Sequence, residues 1–178
     1  REKLHMCRQL GIKKVKLYCM TGLPGEEDED LEATARLAAS IVREVGLDVV
    51  VGANTFIPKP GSGWAQAPFV GLVEGRRKMR FLESALGRQR IPRSRWALRS
   101  ASVREAALEY ALTWADAQTS ALLTQAVERG DRVEAILFDR ISEVRQERCI
   151  PPPQLDEHAS AVAALGGEIC EQQEISSI

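Results

Sequence analysis

Short apolar runs closed by glycine and proline alternate along the chain with longer stretches in which apolar residues return every three or four positions. That alternation predicts strand–helix–strand units. Residues 1–10 carry Leu4, Cys7 and Arg8 up to Gly11 and read as the second half of a helix with a glycine stop. The pattern thus enters partway through an element, and the sequence is expected to be a piece of a longer chain. Val15-Lys16-Leu17-Tyr18-Cys19-Met20 is short and rich in β-branched and aromatic residues, so it is a strand candidate. It stops at Thr21-Gly22-Leu23-Pro24-Gly25, where proline fixes one φ and glycine accepts a positive one, as a type II turn requires. Acids from Glu26 to Asp30 then sit where the positive end of a helix dipole favours them. Leu31, Ala35, Ala38, Ile41, Val42 and Val45 mark one helix face, and Gly46 closes it. The near-continuous apolar run Val49 to Ile57 predicts a buried parallel strand, completing a βαβ unit.

Pro58-Lys59-Pro60-Gly61-Ser62-Gly63-Trp64 continues neither a helix nor a strand and is expected to be a loop leaving the carboxyl end of that strand. Residues 72–89 predict a basic amphipathic helix with Val73, Met79, Leu82 and Leu86 inward, followed by an irregular segment to Arg99. Ser102-Val103-Arg104-Glu105 is a capping box, and Val103, Ala106, Ala107, Tyr110, Ala111, Trp114, Leu122 and Ala126 outline one long helix to Gly130. Asp131 is placed to cap a further helix through Val133, Ile136, Leu137, Ile141 and Val144, forming an antiparallel hairpin with the first. Pro151-Pro152-Pro153 ends all helix, and the acidic stretch to Ile178 is expected to be loosely held. The domain reading is therefore 1–100 as βα units, 101–148 as a helical hairpin and 149–178 as a tail.

Composition leaves this picture in place. With 178 residues, 44% of them hydrophobic and 28% charged, the chain suits one globular core and neither a disordered nor a membrane protein. No apolar stretch approaches the roughly 18 residues a membrane span needs, and no signal peptide is evident, so the expected compartment is the cytoplasm. Cys7, Cys19, Cys149 and Cys170 lie far apart, without the close spacing of a zinc or cluster site, and read as reduced thiols. Charge adds something new: the net charge is only -1, yet residues 26–32 are almost wholly acidic. Residues 75–104 carry ten Arg or Lys against the single acid Glu83.

The run Lys16 to Glu26, with its Thr-Gly-Leu-Pro-Gly-Glu turn and acidic helix start, resembles the fifth barrel strand of radical S-adenosylmethionine (SAM) enzymes. Asn54-Thr55-Phe56-Ile57-Pro58-Lys59-Pro60 resembles the sixth strand of that barrel. Ala126-Val127-Glu128-Arg129-Gly130-Asp131-Arg132 resembles the helical extension of a subgroup whose members often carry a cobalamin-binding domain. The resemblance covers about residues 5–140 and implies an α/β fold: the carboxy-terminal portion of a partial (β/α)6 barrel followed by an α-helical extension. It implies SAM as cofactor, with cobalamin as a further one the subgroup allows. A [4Fe-4S] cluster would be held by three closely spaced cysteines that this chain lacks. The missing amino-terminal half of the barrel would be its partner, leaving the isolated piece inactive and its substrate unknown. Thr21, Gly22, Leu23, Gly25 and Glu26 on one strand end, and Phe56, Ile57 and Pro58 on the other, are implied to wall the adenosine of SAM, with Glu26 bracing the loop. The chain departs from the family where Glu27 replaces a helix-capping threonine and where Gly61-Ser62-Gly63-Trp64 replaces a histidine-containing continuation.

Two rival readings remain at this level. The basic stretch would suit RNA or DNA, whose phosphates release counterions to arginines, although a solvated helix face is the simpler account. The helical segment would equally suit protein docking. Gly22-Leu23-Pro24-Gly25 on its own is also a common strand-to-helix turn, Lys59 an ordinary loop lysine, and neither His5 nor His158 sits in a nucleophilic constellation.

Overall fold

A computed structural model of the protein describes residues 2–133 together with Ile136 and Leu137. Helix α1 (Glu2–Gln9) precedes strand β1 (Lys14–Thr21). Helix α2 (Asp28–Ser40) follows, and its last turn widens to a π-helical turn at Ile41–Val45 before Gly46 ends it at φ 79°. Strand β2 (Asp48–Thr55), helix α3 (Leu72–Arg88), strand β3 (Trp96–Arg99) and helices α4 (Val103–Thr113) and α5 (Ala117–Arg129) complete the described order.

The three strands form a parallel sheet in the order β1-β2-β3, with Val15 opposite Val49 and Val49 opposite Trp96. Strand alternation sends Val15, Leu17 and Cys19, Val49, Val51 and Ala53, and Trp96 and Leu98 to one face. There they meet Ala35, Ala38, Ala39, Ile41, Val42 and Val45, and Leu82, Ala85 and Leu86 of α3, in one core. Ala35, Ala38 and Ala39 of α2 are fully buried, which lets that helix lie close to the sheet. Each fully buried leucine, such as Leu82 or Leu86, contributes about 1.5–3 kcal/mol. Helices α2 and α3 thus share a face and pack on each other. The opposite face has no such helix layer among the described residues, only α4 beside its carboxyl end, and its Tyr18 and Met20 are 78% and 52% exposed.

The observed elements differ from the expected ones in four places. β3 stands where an irregular segment was anticipated. Its four residues are flanked and ended by arginines, so the pattern hides the strand. Trp96 nevertheless drops into the core, while Arg93 stacks 4.1 Å from its ring and donates to its carbonyl at 2.8 Å. The single long helix over 103–129 is two helices. Asp116 accepts the Thr119 N–H at 2.7 Å and caps α5, so the side chain competes successfully with helix continuation. Val73 is 40% exposed rather than inward, because the buried face of α3 runs through Gly75, Lys78, Leu82, Ala85 and Leu86. β2 stops at Thr55, two residues short of the expected Ile57.

A second cluster lies beyond the sheet. Phe69 stacks on Tyr110 with ring centres 4.9 Å apart, and Ala106, Ala107, Ala111, Trp114 and Leu137 join them. This ties α4 to the loop that follows β2. Most of the expected second helix of the 101–148 hairpin, and the whole 149–178 tail, lie outside the described residues. No helix among the described residues is long and apolar enough to cross a membrane.

Candidate functional site

Parallel pairing in register carries β1 and β2 to a common end, where Thr21 faces Thr55. The Phe56 N–H donates to the Thr21 carbonyl at 2.8 Å, so the two exits are tied side by side. After Thr21 the chain turns: the Glu26 N–H donates to the Leu23 carbonyl at 3.0 Å and Gly25 sits at φ 78°, as the Pro-Gly pair requires. The Glu26 carboxylate folds back to accept the Gly22 N–H at 2.7 Å. From α3, the Lys78 ammonium reaches that carboxylate at 3.1 Å and the Glu26 carbonyl at 2.8 Å. Both side chains are almost wholly buried, at 7% and 6% exposure, so their attraction is little screened. One lysine therefore fixes the turn at both its amide and its carbonyl side.

Beside this loop lie two cavities. One, of about 550 Å³, opens on the helix side between Gly22, Leu23, Gly25 and Glu26 and the starts of α2 and α3. The other, of about 530 Å³, opens on the uncovered sheet face, lined by Tyr18, Met20, Asn54, Phe56, Ile57 and Glu109 among others. The anticipated wall is thus divided. Phe56 and Ile57 line the second cavity, whereas Gly22, Leu23, Gly25 and Glu26 line the first. Thr21, at 1% exposure, and the fully buried Pro58 line neither and shape the strand ends from within. Phe56 is held edge-on to Trp64, 5.9 Å between centres at 74°, and Lys59 pairs with Glu109 at 3.0 Å. The second cavity accordingly combines aromatic, thioether and amide groups with a charged rim, a composition suited to a flat ligand with polar edges.

Lys78, Tyr18, Met20 and Asn54 were not among the anticipated residues. Lys78 had a readable signal: it stands four residues before Leu82, on the same helix face as the buried leucines. Nothing in the sequence announces Tyr18 and Met20 as cavity residues until the sheet is known to be bare on their side.

The segregated charges of the sequence meet across the α2–α3 seam. Arg77 makes paired hydrogen bonds to Asp28 at 2.8 and 3.0 Å and to Glu74 at 2.7 Å, while Arg88 reaches Glu32 at 2.7 Å. Arg95 pairs with Asp48 at 2.6 Å. Much of the basic stretch is therefore engaged within the fold. The Arg77 hydrogen bonds, assisted by its charge, hold both the Asp28 and Glu74 carboxyls below their ordinary pKa values against a smaller opposing effect of burial. A carboxyl lowered on folding stabilises the fold above its unfolded pKa, near about 4, and loses that contribution as pH falls through the depressed value. Arg77→Met is expected to flatten the decline of stability below about pH 4, as read by urea unfolding at stepped pH. An unchanged acid profile would refute the assignment. These groups are partly exposed, so the effect is modest.

Burial, with the Glu26 charge second, pushes the Cys19 thiol up, which keeps it protonated and a poor nucleophile. Among the described residues no three His, Cys, Asp or Glu side chains gather as a metal site. Cys7 and Cys19 lie apart on α1 and β1, so the described donors do not fit an iron-sulfur cluster.

No protein-family model matches the chain, and no solved structure does. Over 88 residues, 49% of the chain, it is 32% identical to an uncharacterized protein of Methanocaldococcus jannaschii. The matched stretch spans only 19% of that protein's length. What the comparisons and the fold together establish is a mixed α/β chain whose described residues are built on a three-stranded parallel sheet, similar over about half its length to part of a much longer archaeal protein.

Proposed function

We propose that this segment is the closing part of a radical SAM barrel and supplies the adenosine side of the SAM pocket in a longer enzyme. The observation that carries the reading is the juxtaposition of the Gly22–Gly25 turn and the Phe56–Pro58 exit at one end of paired parallel strands. The covering of the sheet supports it too. Doubly wound sheets carry helices on both faces, whereas a barrel keeps them outside and leaves its inner face to side chains and ligand. Consecutive strand order with α2 and α3 on one face suits the second arrangement.

On this reading Phe56, Ile57 and Met20, in the cavity on the bare face, offer apolar surface to adenine, while the Gly22–Gly25 turn, which lines the helix-side cavity, shapes the neighbouring strand end. Glu26 and Lys78 hold the turn in shape and do not touch the ligand. Bound SAM would be the source of a 5'-deoxyadenosyl radical for an unidentified substrate. The cluster that reduces it would belong to another part of the protein, since the described donors do not fit one.

The test uses the longer protein, reconstituted anaerobically with iron and sulfide and assayed for 5'-deoxyadenosine. Release of the nucleoside is expected, and Phe56→Ala should raise the KM for SAM roughly tenfold, since base–aromatic stacking is worth about 1–3 kcal/mol. An intact cluster with no nucleoside release would sink the proposal. An unchanged KM in Phe56→Ala would remove that residue from the pocket.

A further inference from the structure

We propose that the uncovered face of the sheet binds an anionic group, phosphate or carboxylate, of the substrate, between Arg99 and the Lys16 ammonium that leans across Gly52. The inference rests on the reading that this face lines the reaction chamber, and it adds what that reading leaves open, the chemical class of the substrate.

Strand alternation and register assemble the site. Lys16 and Tyr18 of β1, Val50, Gly52 and Asn54 of β2, and Ala97 and Arg99 of β3 all belong to the face opposite the core. Across the three strands Tyr18 stands opposite Gly52, and Gly52 opposite Arg99. An aromatic ring and a guanidinium-bearing residue therefore flank a glycine in one row. Lys16, one pleat earlier, lies over this row: its Nζ is 4.4 Å from the Tyr18 ring centre. A Cβ placed on Gly52 would come within 2.8 Å of the Lys16 Cε. The missing side chain is what lets the lysine lean across β2, toward the row that Arg99 ends. A glycine inside a strand weakens the strand and often marks close approach of another group.

The charges on this face make it selective. Neither Lys16 nor Arg99 has a hydrogen-bond or ion-pair partner among the described residues, and both are exposed. Nearby acids are engaged elsewhere: Asp48 with Arg95, Glu109 with Lys59, and Glu105 with the Ser102 N–H of its capping box. The chain as a whole is slightly acidic, at net charge -1, so two uncommitted cations beside a glycine are a local feature and not a general one. Arginine and lysine together suit an oxyanion, the first by its planar fork and the second as a point charge. The Tyr18 ring, 78% exposed beside them, and the second cavity above provide for an apolar or flat remainder of the ligand.

The experiment titrates the 178-residue chain with inorganic pyrophosphate and, in a parallel arm, with citrate, following backbone amides by nuclear magnetic resonance. Saturable shifts at Tyr18, Gly52 and Arg99 are expected, and the stronger arm assigns phosphate or carboxylate. Lys16→Gln and Arg99→Gln should each weaken binding about tenfold, a loss of about 1.4 kcal/mol. Gly52→Ala should weaken it too by displacing Lys16, and the charge control Arg76→Gln on α3 should leave it unchanged. Absence of saturable shifts on this face, or an equal loss in Arg76→Gln, overturns the proposal. S-adenosylhomocysteine titrated in the same way reports on Met20, Phe56 and Ile57. Shifts there without anion shifts leave the SAM reading standing while this inference fails. Anion shifts on the sheet face without the nucleoside shifts keep the anion site and count against the SAM pocket.

Discussion

Lys78→Met is expected to lower stability by about 3–5 kcal/mol, the usual consequence of removing one partner from a buried ion pair. The Glu26 carboxylate, with its side chain at 6% exposure, would retain the Gly22 N–H but lose the ammonium that neutralises it, and the Glu26 carbonyl would lose its donor as well. At about 2–4 °C per kcal/mol for a chain of this size, the melting temperature should fall by roughly 6–20 °C. A double variant separates charge from packing. Glu26→Gln combined with Lys78→Met removes the uncompensated charge, so its cost should be smaller than the sum of the two single changes by more than about 1 kcal/mol. Additive losses would mean the two residues do not act as a pair. In the reconstituted longer protein, Lys78→Arg should preserve SAM affinity better than Lys78→Met, as a positioning role requires and a mere volume requirement does not.

The second large effect belongs to Gly22. Its φ of 79° costs a side-chain-bearing residue about 1–2 kcal/mol. The Cβ of an alanine would also lie 2.7 Å from Val70 Cγ1 and 2.8 Å from Val70 Cβ, an overlap that the neighbour's branched carbon cannot escape by turning. Overpacking of this kind adds about 1–3 kcal/mol, so Gly22→Ala should cost about 2–5 kcal/mol in urea unfolding. Val70→Ala in the same chain removes the two Cγ contacts but keeps Cβ at 2.8 Å, so it should recover only part of the steric cost and leave the backbone part. A Gly22→Ala protein as stable as the parent would show that the loop takes up another conformation and that the Glu26 hydrogen bond does not hold it.

The two variants probe one arrangement that local sequence reveals only in pieces. The turn at Leu23–Glu26 is legible because Pro24 and Gly25 each restrict φ in a way that leaves few alternatives. The helix start after it is legible because Asp28, Glu29 and Asp30 sit at the dipole's positive end. Helix α3 was legible in extent but not in orientation: Val73 and Lys78 exchange the places that hydrophobicity alone assigns them. The lysine is inward because the Glu26 carboxylate and carbonyl lie there to receive it, and both come from a segment 52 residues away.

By itself the sequence determined β1, α2, β2 and α3, since each rests on a periodicity or a stop signal contained within its own residues. It also determined the Ser102 capping box, whose two hydrogen bonds form between residues three apart. Only the tertiary structure decided that Trp96–Arg99 is a strand, because four residues among arginines gain strand character from pairing with β2 and from the burial of Trp96. It alone decided that the acidic and basic runs neutralise one another across α2 and α3, and that among the described residues one face of the sheet is left without a helix layer, with Lys16, Tyr18, Gly52 and Arg99 upon it. The physical reason is common to all of these: local periodicity fixes which way a side chain points from its own backbone, whereas charge, burial and strand pairing depend on what the rest of the chain places opposite.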